Sequence, residues 1–591
     1  MTWKSSARII MIAAVAGSLL TACKGKKSDA GANGQNYLNA RSMSDPDMLN
    51  PINLTSTDGR HTANLIFMSM NGTDPKDYHI TPALAVSRAK ITEITDGEWK
   101  GGIKLDYEIR PEATWDNGTP VTAADYIFTI KTILNPNTKC TPLRPYYEWV
   151  GDIVVDSANP KKLTVYARDK YFMIEEFAGG YVIPEYIYDP EHIMAKFSVR
   201  DLNTNQKRDA LKGNADIQKF ASQFNSEKFQ REKGSVVGCG PYEFVEWKTG
   251  QNITLQRKKN WWGDKIKDNR DFIALPEKIT FKIINDVNTA ATALKDGQVD
   301  EMYSIDPKSF EELLKNDVAK QKLKMDAPSI FAFTYIGFNT KKPKLSDKKV
   351  REAIAHCINR KQINDVINFG KNQISESFVH PTQAHYNKDI KPFDYDLDVA
   401  RKMLDEAGWK DTDGDGFRDK VINGEKTKLS LDFKIPAGNK GREQTGILIK
   451  EDLKKVGIDL NITAREWSVY IQDMDKKDFE VTYGGYSMSS TMGDAKQMWH
   501  TASAATGGSN MFSYGNAASD KLIEDIRSEL DESKRVEMYK KLEVMIHDDV
   551  PCVFMFIPAN RLAINKRYTV EETLINPGYL YNEFKLTQSN Q

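Results

Sequence analysis

The stretch "DTDGDGFRDK", residues 411–420, sets acids at the spacing of a cation-binding loop. Asp411, Asp413 and Asp415 stand at the first, third and fifth places, and Gly416 takes the sixth, where the chain must turn sharply. Phe417 offers a main-chain carbonyl at the seventh place and Asp419 falls at the ninth. The twelfth, where a bidentate Glu closes a shell of hard oxygen ligands, is Ile422, with Glu425 nearby. Two readings stand: a structural calcium pinning a surface loop, and a pair of Asp-Gly turns between a helix ending at Trp409 and a strand over 428–435. Other chemical signals fail. The eight histidines form no HExxH pair; His380 and His385, five apart, do not share a helical face. No GxSxG elbow is present. "GCGPYE" (238–243) begins like a dinucleotide loop, but Glu243 replaces the third glycine and a strand pattern follows. Gly370-Lys371 lacks the upstream glycine and the following hydroxyl of a phosphate loop. Carboxylate pairs are unavoidable among 82 acids, so a glycosidase-like pair stays open. Nothing lifts catalysis above background: the chain reads as a non-enzyme that requires no cofactor, with calcium as its one metal candidate.

The elements that must position these groups begin with an address. Lys4 and Arg8 precede an apolar run over Ile9 to Leu20, long enough for a signal segment and short of the ~20 residues that span a bilayer. Leu20-Thr21-Ala22-Cys23 resembles a bacterial lipobox, in which the Cys23 thiol takes a diacylglycerol after cleavage before it. "KGKKSDAGANGQ" then suits a flexible tether. The expectation is an extracytoplasmic protein held on a bacterial membrane by lipid on Cys23; an ordinary cleaved signal is the alternative. Lys+Arg and Asp+Glu both number 82, so no net field gathers nucleic acid. Cys140, Cys239, Cys357 and Cys552 lie too far apart for a local zinc site; one or two disulfides are permitted.

Strand and helix periods alternate throughout. "KLTVYARD" (162–169), "NITLQRK" (252–258) and "KITFKIIND" (278–286) read as strands. "TAADYIFTIKTILN" (122–135), 347–368 and "DLDVARKMLDEAGW" (396–409) read as helices, and 519–549 as two helices broken near Asp531. Pattern alone gives a mixed α/β chain of two or three domains.

Six stretches, in order, resemble the family 5 extracellular solute-binding proteins, receptors of oligopeptide, dipeptide and nickel ABC importers. "YEIRPEATWDNGTPVTAADYIFTIKTILNP" (107–136) resembles the family's Trp-Ser-Asp-Gly to Pro-Val-Thr-Ala stretch, with Asp116 and Asn117 in the Ser-Asp places. "GCGPYEFVEWKTGQNITLQRKKNWWGD" (238–264) resembles its Gly-Thr-Gly-Pro-Tyr segment, with Cys239 for the hydroxyl residue and Trp261-Trp262 for Tyr-Trp. "DVNTAATALKDGQVDEM" (286–302), "KKVREAIAHCINRKQI" (348–363), "AGWKDTDGDGFRD" (407–419) and "PCVFMFIPANRLAI" (551–564) follow. Trp115, Trp247 and Trp262 read as core, and Arg351 beside Glu352 as a structural ion pair.

The resemblance implies an α/β, two-lobed periplasmic-binding-protein-like fold with an extra domain in the first lobe. The expected division is a signal peptide at 1–22, a lipidated tether at 23–37, lobe I at 38–75, 201–286 and 556–591, its extra domain at 76–200, and lobe II at 287–555. Ligand would sit between the lobes, with partners a peptide or other small solute and an ABC importer permease, the protein acting as a monomer. By resemblance Trp467 faces ligand, and Gly485, Tyr486 and Ser487 form the strand whose backbone pairs with peptide; they also suit a plain strand end. Tyr146, Tyr147 and Trp149, and Thr55, Ser56 and Thr57, align with first-lobe cleft segments. Oligopeptide receptors hold the peptide amine with an aspartate where this chain has Ser489; the nearest downstream acid is Asp494. A neutral serine cannot replace that charge-assisted bond. Either Asp494 reaches in, or the solute is a modified peptide, murein fragment, metal chelate, haem or oligosaccharide.

Overall fold

The computed structural model describes residues 35–587 except 141, 142, 268, 490, 506 and 507. Three separate pieces of chain build lobe I. The strand Tyr37–Ser42 pairs in parallel with Lys278–Ile283, which pairs antiparallel with Asn252–Arg257, followed by Tyr242–Lys248. A second sheet, Lys90–Glu93, Ile103–Glu108, Lys162–Ala167 and Val150–Val155, forms the extra domain with the helix Ala123–Leu134. That helix starts as its sequence predicts: the Asp125 carboxylate accepts from Thr122 N at 3.0 Å, satisfying an orphan donor of the first turn. One continuous apolar core runs through both sheets and takes in Trp115 and Trp262, while the C-terminal residues Tyr568, Tyr579, Tyr581 and Phe584 close it.

Lobe II is a single stretch of chain around a six-stranded sheet, ordered Gln373–Ile374, Cys552–Ile557, Ala332–Phe338, Val481–Ser487, Ser430–Pro436 and Asp459–Arg465. Cores lie on both faces. A strand covered on both sides reads as continuously apolar rather than alternating, and all six residues of Cys552–Ile557 are buried. Its side chains alternate between the two cores until Met555 and Phe556, which both enter the same one. A β-bulge explains the slip: Thr334 faces Phe556 while Tyr335 faces Phe554.

Several expectations are refined. The helical run 347–368 is two helices, Lys348–His356 and Arg360–Ile367, because Asn359 caps the second by accepting from Gln362 N at 3.0 Å. Arg351 does not pair with Glu352; buried, it donates to the carbonyls of Val550 (2.9 Å) and Leu345 (2.7 Å), tying its helix to the turn that precedes the strand Cys552–Ile557. The four cysteines are buried free thiols. The crossing into lobe II lies later than residue 287. Glu301–Met302 and Leu323–Asp326 flank Leu562–Asn565 in a small sheet, and Leu562 and Ile564 belong to the lobe I core. The connecting segments run side by side instead near 328–330 and 558–560, where Ile330 N donates to Pro558 O (3.2 Å) and Asn560 N to Pro328 O (2.7 Å). No helix among the described residues is long and apolar enough to cross a membrane.

Candidate functional site

The strand Val481–Ser487 pairs with Ala332–Phe338 along its whole length, but with Ser430–Pro436 only at Val481 and Thr482. Ser430–Pro436 instead follows Asp459–Arg465 to its end. The sheet therefore splits beyond Thr482. Met488 N donates to Phe331 O at 2.8 Å. The two-residue alternation of an antiparallel ladder then aims the main-chain groups of Gly484 and Tyr486 at the paired strand, and those of Gly485 and Ser487 into the split. Both Gly485 and Ser487 are exposed. Gly484 serves the packing beneath: a Cβ there would lie 2.2 Å from the Tyr335 hydroxyl. Tyr335 stacks on Tyr486, centroids 5.6 Å apart, and the Tyr486 hydroxyl donates to Ser509 O at 2.7 Å. Trp467 opens the helix Trp467–Asp475, is 59% exposed, and rests on Tyr470 with centroids 5.8 Å apart. Glu466 fixes that helix start by accepting from Ser468 N at 2.9 Å.

A cavity of about 330 Å³ lies between the lobes. Tyr146, Glu176 and Phe177 reach it from lobe I; Phe333, Phe378, His385, Ser487, Ser489, Asp494 and Trp499 reach it from lobe II. A larger groove of about 960 Å³ around Trp115 and Trp262, and one of about 340 Å³ at His61 and Asp271, are walled by lobe I alone. A relative movement of the lobes would change the cavity between them and leave these two grooves as they are.

Its rim is held shut by contacts across the lobes. Asp494 Oδ2 accepts from the Tyr171 hydroxyl (2.8 Å) and from Arg527 Nε (3.0 Å), and Oδ1 accepts from Lys496 N (2.9 Å). The Arg527 guanidinium lies 4.8 Å from the Tyr171 ring centroid, and Phe172 N donates to Arg527 O at 3.0 Å. Burial, then the charge of Asp494, pushes the Tyr171 hydroxyl far above the usual phenol range. Thr491 Oγ1 donates to Glu176 Oε2 at 2.6 Å; burial raises the Glu176 carboxyl while that bond pulls it back. Burial lowers His385 to about 4, so its ring is neutral near pH 7.

The structure brings Tyr146, Ser487, Ser489 and Asp494 to the cavity and leaves the other predicted residues off its walls. Trp467, Gly485 and Tyr486 stand at the sheet split. Tyr147 and Trp149, expected in the cleft, are 4% and 7% exposed in the lobe I core, where their rings stack with centroids 6.4 Å apart. Thr55 and Ser56 are held by Asp47, which accepts from Thr55 N (2.7 Å) and the Ser56 hydroxyl (2.5 Å), and Ser56 caps the helix that begins at Thr57. Asp494 is present but already neutralised by Arg527. Ser489 bonds Thr491 Oγ1 at 2.8 Å. Glu176 escaped the sequence reading: "YFMIEEFAGG" marks a helix start and nothing more. Cys23 lies outside the described residues.

At the acidic loop, Asp411, Asp413 and Asp419 bring oxygens within 4.8 Å of one another. Asp415 does not join them; it pairs with Lys428 at 3.0 Å, and Phe417 lies under the same ammonium, 3.9 Å from ring centroid to nitrogen. Lys426 Nζ sits 2.8 Å from Asp413 and 3.4 Å from Asp419. Three of the four expected carboxylates thus converge, with a lysine ammonium beside two of them.

The sequence model of bacterial extracellular solute-binding proteins, family 5 (Middle), matches residues 79–510. The oligopeptide-binding protein AppA of Bacillus subtilis is 27% identical over 575 residues, 95% of this chain and 95% of its own length. Heme-binding protein A of Haemophilus influenzae is 26% identical over 319 residues, 54% of each chain. Among solved structures, AppA from Bacillus subtilis in complex with a nonapeptide superposes with a TM-score of 0.68 at 25% identity, over 94% of this chain and all of that one.

Proposed function

We propose that this chain, which belongs to the bacterial extracellular solute-binding proteins of family 5, is a peptide receptor of an ABC importer, anchored through lipid on Cys23 and acting as a monomer. It is a binding protein, not an enzyme. One observation carries the peptide reading: Val481–Ser487 turns the main-chain groups of Gly485 and Ser487 into the sheet split, and Ser487 also reaches the cavity between the lobes. A peptide offers the same backbone donors and acceptors whatever its sequence, so an added strand gains affinity without reading side chains. Waters in the remaining space then serve different side chains. The oligopeptide-binding relative and its nonapeptide complex support the same reading.

Closure follows from differential binding. Tyr171 of lobe I reaches the Asp494–Arg527 pair of lobe II only when the lobes are together, and ligand adds to that side of the balance. Shifting the lobes from 1:99 to 99:1 closed takes about 5.5 kcal/mol, while a micromolar ligand supplies roughly 8 kcal/mol in all. A haem or metal-chelate reading draws less support: among the described residues, the one acidic or histidine group placed to hold a metal is the surface loop at Asp411. Native mass spectrometry of protein purified from its own cell envelope tests the proposal. Peptide masses, released intact on unfolding, are expected; a haem, a sugar or a hydrolysed product in their place overturns it.

A further inference from the structure

Among the described residues, two carboxylates face the cavity between the lobes, and one of them has no cation beside it. Asp494 is bound by Arg527. Glu176 meets a single hydroxyl, that of Thr491, and no lysine or arginine pairs with it among the described residues. Burying an acid without a counter-charge is unfavourable; it is held neutral or it meets a cation. Tyr146 and Phe177, stacked 4.7 Å apart, stand with Glu176 on the same lobe I wall, and aromatic faces also favour positive charge. No wall residue among those described brings that charge: His385 is neutral near pH 7 and Ser489 is uncharged.

We infer that Glu176 is a specificity-determining residue: it receives a cationic group of the ligand, an ammonium or guanidinium, against the aromatic wall of lobe I. This rests on the peptide reading above. The cation then arrives with the ligand and is shielded as the lobes meet. The chain thereby admits peptides by their charge at one point and by their backbone elsewhere.

Three pools of random tetrapeptides separate the sources of the cation. The first has free amino termini and no Lys or Arg; the second is N-acetylated with one Lys or Arg; the third is N-acetylated with neither. Equilibrium dialysis with mass-spectrometric readout is expected to show the wild type preferring the first or second pool over the third by about thirtyfold or more. Which of the two it prefers identifies an α-amine or a side chain. Glu176→Gln keeps a hydrogen-bond partner for Thr491, so a merely structural role leaves the preference in place; the inference requires its loss, with Glu176→Asp retaining part of it. Equal retention of all three pools by the wild type, or an undiminished preference in Glu176→Gln, overturns this inference alone. Retention of no pool overturns the peptide reading and this inference with it. Should Glu176→Gln fail to fold, the wild-type preference and Glu176→Asp decide.

Discussion

Glu543→Gln should make the protein more stable, and more so as pH rises. Glu543 lies on the helix Glu532–Asp549, 1% exposed. Its Oε1 accepts from Asn387 N at 3.0 Å and its Oε2 from the Ser377 hydroxyl. Desolvation by burial is the largest influence and lifts its pKa from 4.5 to about 8, against the bonds from Ser377 and Asn387 and the charge of Lys540. The folded protein therefore keeps this proton between those values while the unfolded chain gives it up, so stability falls as pH rises through that window. At 1.36 kcal/mol per pH unit the penalty is about 3 kcal/mol at pH 7 and approaches ~5 kcal/mol above pH 8. Glutamine keeps both contacts with no proton to lose: its carbonyl accepts from Asn387 and its amide donates to Ser377. Urea-unfolding midpoints of wild type and variant at pH 5, 7 and 8.5 test this, since all other titrating groups cancel in the difference. The two should nearly coincide at pH 5 and diverge steadily above it. Parallel curves would show that Glu543 is already ionised in the folded state. The residue matters to the site because Ser377 and Asn387 bracket the segment that gives the cavity Phe378 and His385.

Trp467→Ala removes a ring that is 59% exposed, so stability should move by less than about 0.5 kcal/mol. Affinity for the co-purified ligand, measured by calorimetry, should fall at least about tenfold; unchanged affinity removes Trp467 from the site. Tyr171→Phe deletes one bond to a charged partner, worth about 1.5–3 kcal/mol, that exists only with the lobes together. Ligand affinity should drop roughly tenfold or more and small-angle scattering should show a more open average shape; identical scattering would mean the contact does not bias closure. Cys23→Ser should move the protein from the membrane to the soluble fraction of disrupted cells, and retention in the membrane would refute lipid anchoring. Millimolar calcium or a chelator should leave the melting temperature unchanged, because Lys426 already pairs with Asp413 and Asp419; a rise of several degrees with calcium would show that the ion displaces the lysine.

Much of the scaffold was legible because local signals and tertiary packing agree. The strand at 252–258, the helix after Thr122 and the break before Asp531 each carry their own start or stop chemistry. A strand through Gly485, Tyr486 and Ser487 was expected through resemblance rather than pattern, and Val481–Ser487 is one. What stayed hidden depends on partners distant in sequence. Nothing near Asp494 announces Arg527, 33 residues on, or Tyr171, 323 residues back. Glu176 becomes notable only once the lobes place Thr491 against it and supply no cation. Tyr147 and Trp149 show the opposite error: an aromatic run suits a cleft and a core equally, and only the packed sheet decides which ring turns inward.

The order in which the chain leaves the ribosome sets when a usable cleft can exist. From about residue 331 to 557 lobe II is unbroken and has its own two cores, so it can close on itself as soon as it emerges. Lobe I must wait, since its first strand and its closing aromatics, Tyr579, Tyr581 and Phe584, stand at opposite ends of the polypeptide. A chain still lacking Tyr579, Tyr581 and Phe584 would present one finished jaw and one whose core is open at its edge.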